Sequence, residues 1–245
     1  MILKPKIFIG TLHVNEAEFE ACQGAIAGQK YVDVTHHIIS NKPEAEAHDA
    51  LWAAWNAVKH NYDLFVKIDA DTVLIEEVAL SKIWALFNAD QDVTGAQILL
   101  LDYFTKTLIA GLNCFTPDVV FRTARSKLFC DRADTNHRKV LRGEAVTHLS
   151  PIAWHCKFPH AEQAFHFGLH RSLKKQKKIL RSTAECYLDE GGEGRMWALA
   201  GAKAASIFMR KSYNYSSSGF QKKFRTLQSV PDLANRMRDY SQSLL

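Results

Sequence analysis

An α/β fold, with a mostly parallel sheet flanked by helices and a helical C-terminal extension, is the class this sequence predicts. Three observations predict it. From Lys6 to Ile68, apolar runs with the period of a strand alternate with runs of helical period. The order strand, helix, strand, helix, strand is the grammar of a parallel sheet with crossover helices. Two aspartates, Asp69 and Asp71 in LFVKIDADTVL, then follow the third strand directly.

Each element has its own signal. KIFIG, Lys6 to Gly10, is a short apolar run closed by glycine and predicts the first strand, and Glu16 to Gly28 has helical spacing. YVDVTHHIIS alternates and is rich in β-branched residues, which predicts a second strand ending at Ser40 and Asn41. From Pro43 to about His60, Ala47, Leu51, Ala54, Trp55 and Val58 repeat at three and four, the stripe of an amphipathic helix. Leu64 to Ile68 is the third strand. Glu76 to Asn88 reads as a helix, Val93 to Leu101 and LIAGLNCF as strands, Thr116-Pro117-Asp118 as a helix start, DTNHRKVLR as a short helix, and AVTHLS as a late strand. The basic run HRSLKKQKKILRS, an Ala-rich helix from about Arg195 to Arg210 and a polar terminal helix complete the chain. The expected division is an α/β domain over 1–180 and a helical extension over 181–245.

Composition sets the outer bounds. Hydrophobic content of 47% and charged content of 23% are those of a folded globular chain rather than a disordered one. A formal charge of +5 suits an anionic ligand or an anionic membrane surface but is too small to imply nucleic acid. The cysteines, Cys22, Cys114, Cys130, Cys156 and Cys186, are odd in number and form no CxxC pair, so neither a disulfide framework nor a zinc knuckle is expected. A reducing, cytoplasmic setting fits, extending to the inner face of the membrane if the basic C-terminal helices make peripheral contact with lipid.

In a parallel α/β sheet, ligands bind beyond the carboxyl ends of the strands. Thr11 and His13, Ser40 and Asn41, and Asp69 and Asp71 are therefore the residues to inspect. Residues i and i+2 of an extended segment project to one side, so the two aspartates would converge, and two like charges that close call for a cation between them. Hard oxygen donors point to Mn2+ or Mg2+.

The alternation of strands and helices ending in FVKIDADTVL resembles the nucleotide-binding half of GT-A-fold glycosyltransferases, near family 2, with Asp69-Ala70-Asp71 in the place of their DxD motif. The resemblance covers roughly Lys6 to Lys175. It implies a metal-dependent enzyme that moves a sugar from a nucleotide-sugar donor, UDP- or GDP-linked, to a glycan or lipid-linked hydroxyl acceptor, for instance in bacterial surface-glycan synthesis. The aspartates would hold the metal on the donor diphosphate, where it acts as a Lewis acid. Thr11, His13, Glu16, Ser40 and Asn41 would contact the nucleoside, although many members have an aspartate where this chain has Ser40-Asn41. A late histidine would complete the metal site. In THLSPIAWHCKFPHAEQAFHFGLHR the choice is His155, which ends a strand-like stretch before a proline turn, with His148 and His160 as alternatives.

The resemblance also implies a catalytic base for inverting transfer, a carboxylate that takes the acceptor proton. CDRADTNHRKVLRGE matches the family's acidic motif loosely, through Asp131, Asp134, Arg138 and Gly143. An N-cap is an equally good reason for Asp134. Asp102 and Glu144 are further candidates. Arg171, with Lys174 and Lys175, could reach a phosphate or could line a solvated face. His166 and His170 have the spacing of a helical zinc pair but lack the HExxH glutamate, which favours packing. Two alternatives stand beside transfer of a sugar: nucleotidyl or phosphoryl transfer, weakened by the absence of a Gly-rich loop after the first strand, and a non-catalytic nucleotide-sugar-binding module.

Overall fold

The computed structural model describes residues 4–123, 138–205, 215 and 217–245. They form two units, one from the described residues of Met1–Asp102 and Thr107–Lys157, the other from Tyr103–Lys106 and those of Phe158–Leu245.

The first unit begins with β1 (Lys6–His13), α1 (Phe19–Ala27), β2 (Asp33–Ser40), α2 (Glu44–Val58) and β3 (Leu64–Lys67). β1 lies between β2 and β3 and pairs in parallel with both. Strand alternation divides its side chains between two cores. Ile7, Ile9, Leu64 and Val66 pack with Cys22 and Ile26 of α1 on one face. Phe8 and Phe65 pack with Leu51, Trp52 and Trp55 of α2 on the other. Gly10 belongs to this fit, because a Cβ there would meet Leu51 and Phe65 side-chain carbons at 2.5–2.9 Å.

Beyond β3 come β4 (Thr72–Leu74), α3 (Ala79–Ala89), β5 (Val93–Asp102), β6 (Leu108–Phe115), β7 (Lys139–Leu141), α4 (Glu144–Thr147) and β8 (Ala153–His155). Among the described residues the sheet order is β2-β1-β3-β6-β5-β8-β4, with β7 also beside β5. The sheet is mixed, which corrects the expectation of a mostly parallel one. β6 runs antiparallel to β3 and β5, and β4 antiparallel to β8. The reason is the link from β5 to β6: parallel neighbours need a crossover of a dozen or more residues, and 103–107 can only turn back.

Three local expectations also fail. Within DTNHRKVLR, read as a short helix, Lys139–Leu141 is the strand β7 beside β5. Thr116-Pro117-Asp118 opens a turn rather than a helix, and the chain beyond it places Val119 and Phe121 in the aromatic core beside α2. AVTHLS contributes to α4 instead of a strand. A single buried side chain, Val146, anchors that short helix, and the Thr147 hydroxyl donates back to the Gly143 carbonyl.

The second unit carries α5 (Ala161–Leu173), α6 (Lys177–Glu190), α7 (Glu193–Ala204), α8 (Ser218–Gln228) and α9 (Leu233–Leu244). α5 and α7 touch backbone to backbone at Gly168 and Gly201. The buried guanidinium of Arg195 donates to the carbonyls of Tyr103 and Phe104, which ties that excursion of the chain to α7. The basic run is two helices, broken where Lys175 takes a left-handed conformation (φ 57°). Among the described residues no helix is long and apolar enough to cross a membrane.

Candidate functional site

Strand register assembles the site in the first unit. Gly10 pairs with Lys67, and the Ile68 amide donates to the Gly10 carbonyl, so the polar ends of β1 and β3 are neighbours. Extended geometry stops there. The Thr72 amide donates to the Asp69 carbonyl at 2.9 Å, closing a turn over Asp69-Ala70-Asp71-Thr72. The two carboxylates accordingly have different partners, and the simple i, i+2 projection does not describe them.

Asp69 pairs with the ammonium of Lys67, a lysine only 5% exposed. Burial on its own would raise the Asp69 carboxyl, but the charge and hydrogen bond of Lys67, with smaller help from His48 and His155, hold it below the usual carboxylate range. Asp71 faces the other way, toward β8. There Thr72 is paired with His155 across β4 and β8, and Asp102 is paired with His155 across β5 and β8. His155 thus stands between two acids. Its Nδ1 is 2.6 Å from Oδ1 of the fully buried Asp102, and its Nε2 is 3.5 Å from Oδ2 of Asp71. A carboxylate only accepts, so Nδ1–H donates to Asp102 and Nε2 is turned toward Asp71.

Cys156 completes the cluster. Its amide donates to the Asp71 carbonyl at 2.9 Å, its sulfur lies 3.2 Å from Asp71 Oδ2, and it lies 3.6 Å from His155 Nε2. Among the described residues, Asp71, His155 and Cys156 form a group able to present three ligand atoms to one metal ion.

Cys156, His155 and Asp102 also follow the order of a nucleophilic triad. Activation of the thiol would require a cationic neighbourhood. Here burial, followed by the charges of Asp71, Glu18 and Asp102, pushes the Cys156 thiol well up, so in the absence of a cation it is a protonated donor to Asp71 and no nucleophile.

The residues expected to contact a nucleoside cluster at the ends of β1 and β2. Thr11 is fully buried, with its hydroxyl 2.9 Å from His36 Nε2. His13 stacks on Phe19 with ring centroids 3.7 Å apart, and its Nδ1 is 3.5 Å from the Ser40 hydroxyl. Ser40 and Asn41 are exposed; the Asn41 amide, in a left-handed residue (φ 56°), donates to the His13 carbonyl. Glu16 closes the loop after β1 by accepting from the amides of Val14 (2.8 Å) and Asn15 (3.1 Å).

Glu16 carries a pH prediction. Burial, opposed by the Val14 amide and reinforced by the negative charge of Asp71, pushes its carboxyl up from 4.5 to about 7. Between those values the native chain holds a proton that the unfolded chain has lost, so stability falls as pH rises through the window. Glu16→Gln keeps an acceptor for the two amides and removes the charge. In chelator, urea unfolding is expected to show the variant more stable than wild type at pH 8 by roughly 1–3 kcal/mol and nearly equal at pH 4.5. A constant difference between the two pH values would contradict this.

The remaining candidates divide clearly. Asp131 and Asp134 lie outside the described residues. His148 is exposed beyond α4, and Glu144 is exposed in the first turn of that helix. His160 belongs to the second unit, where its Nδ1 caps α5 by accepting from the Gln163 amide. Arg171, in the same unit, lies over the Phe167 ring and donates to Gln176. His166 and His170 are held neutral by burial, with values lowered to about 4 and about 2, and His166 stacks on Tyr215. Sequence reasoning gave Cys156 no role and named Asp102 only as a spare base. The adjacent pair His155-Cys156 at the end of a strand was the one local signal for the first.

No protein-family model matches the chain, and no curated protein matches it. Among solved structures, the chain resembles the A197 protein of STIV at 12% identity and a TM-score of 0.35, over 44% of this chain and 64% of that one. It thus spans under two thirds of A197. It also resembles the mannosyltransferase PcManGT from Pyrobaculum calidifontis, solved in complex with GDP-Man and Mn2+, at 14% identity and a TM-score of 0.40, over 99% of this chain and 86% of that one. Likeness at this level carries no argument about activity, so the functional reading rests on the site itself.

Proposed function

We propose that this chain is a metal-dependent glycosyltransferase that takes a sugar from a nucleotide-sugar donor to a hydroxyl acceptor. One observation carries the reading: at the carboxyl edge of the sheet, Asp71 meets His155, whose ring is fixed from behind by the buried Asp102. A carboxylate behind a histidine, with the second ring nitrogen turned toward another acid, is the support that metal-binding histidines usually have. The donor set therefore fits a divalent cation, with Asp71 and His155 as direct ligands, while Asp69, the other expected ligand, is held in the Lys67 ion pair at the far end of the turn.

A cation so held would offset charge on the leaving diphosphate. The chain's own residues supply the rest. The loop from His13 to Glu16 and the exposed Ser40 and Asn41 form a polar rim at the ends of β1 and β2 where a nucleoside can be bound. Lys67, paired with Asp69, keeps one carboxylate of the turn charge-balanced, so the acidic edge can admit an anionic diphosphate. We assign the base to Asp131 or Asp134, since Asp102 is fully buried and committed to His155.

Incubation with UDP- and GDP-sugars tests the activity. Release of nucleoside diphosphate that requires a divalent cation and stops with chelator is expected; release unaffected by chelator would contradict the reading. Asp102→Asn tests the support of His155. It keeps an acceptor but loses the charge behind the ring, and cation affinity is expected to fall by roughly 10–100-fold in calorimetry. Unchanged affinity would remove His155 from the site.

A further inference from the structure

Neighbouring residues of a strand point to opposite faces, so His155 and Cys156 should not reach the same site. They do because β8 ends at His155 and Cys156 takes a left-handed conformation (φ 50°), uncommon for a residue with a side chain. The backbone is pinned in that state by the Cys156 amide on the Asp71 carbonyl. The result is three donor atoms of different kinds, oxygen, nitrogen and sulfur, with separations of 3.2, 3.5 and 3.6 Å. Bonds of about 2.0–2.3 Å in tetrahedral coordination set ligand atoms roughly 3.3–3.8 Å apart. The observed spacings lie close to three corners of such a tetrahedron, the sulfur–oxygen pair slightly short, and no fourth ligand stands among the described residues.

We propose that Cys156 is a ligand of the cation held by Asp71 and His155, and that the site is built for a thiolate-accepting ion of the zinc class rather than for magnesium. This rests on the reading of Asp71 and His155 as a cation site. Magnesium prefers an octahedron of oxygens and gains little from sulfur, whereas zinc and cobalt accept a mixed oxygen, nitrogen and sulfur set. As the sulfur binds, its S–H proton leaves to solvent and the sulfur lone pair forms the bond to the ion, with no change of oxidation state. Three protein ligands, with no fourth among the described residues, are the arrangement of a reactive rather than a purely structural zinc site.

Cobalt substitution of the full chain reads out the ligand directly. Co2+ is expected to produce a near-ultraviolet thiolate-to-cobalt charge-transfer band that Cys156→Ser lacks. Zinc affinity is expected to fall at least about 100-fold in that variant, while magnesium affinity changes by less than about threefold. Cobalt binding without the band, or the same band in Cys156→Ser, would overturn the role of Cys156 and leave the Asp71–His155 site standing. If cobalt does not bind at all, both fall. Should Cys156→Ser not fold, X-ray absorption at the zinc edge of the zinc-loaded wild type serves instead. A sulfur ligand at about 2.3 Å is expected in the zinc coordination shell; a shell of nitrogen and oxygen alone would overturn the proposal.

Discussion

Asp71→Ala is expected to remove the cation dependence of nucleotide binding, lowering affinity for the ion by roughly 100-fold or more while the fold survives. The side chain is partly exposed, so its loss creates no large core cavity. Two consequences inside the protein separate this from a general disturbance. Asp71 is one of the charges that raises the Glu16 carboxyl, so the variant should titrate Glu16 at a lower pH, measurable by NMR. The Asp71 backbone carbonyl still accepts from the Cys156 amide, so the link between the Asp69–Thr72 turn and the end of β8 is retained. Unchanged ion affinity in a folded variant would show that Asp71 is only a turn residue.

Gly168→Ala is expected to cost about 3 kcal/mol or more, and the effect belongs to the second unit. An added Cβ would lie 1.6 Å from the Ala198 carbonyl oxygen, and at Gly201 the same addition would lie 1.9 Å from the Phe165 carbonyl oxygen. Both obstacles are backbone, which no rotamer change relieves. α5 and α7 would have to separate along their contact, exposing Phe165, Leu169 and Leu199, which are fully buried. Gly24→Ala on α1 is the control: a Cβ there meets nothing within 4 Å, and exchanging helical glycine for alanine should stabilise by about 0.5–1 kcal/mol. Urea unfolding that ranks Gly168→Ala equal to Gly24→Ala would contradict this packing.

What the sequence revealed of the fold follows the range of each signal. The first strands and helices were legible because strand and helix periods are local, and DADTV stood out because charge interrupts a buried run. Direction was not legible for β6: LIAGLNCF reads as a strand either way, and only the short link after β5 makes it turn back. AVTHLS misled because Val, Thr and Leu mimic alternation over a window too short to separate the two periods. Asp102 could not be recognised as the partner of His155, since that pairing depends on a register between strands 53 residues apart. Cys156 was hidden for a different reason, as a lone cysteine carries no spacing pattern and its reach into the site depends on one left-handed backbone angle.

The most direct measurement of the central claim is calorimetric titration of UDP and GDP into the full chain with Mn2+, with Zn2+ and with chelator. If Asp71 and His155 hold an ion that ties a nucleoside diphosphate to the sheet edge, one nucleotide binds with the ion and binds at least about tenfold more weakly in chelator. Equal binding under all three conditions, or no nucleotide binding under any, would contradict it.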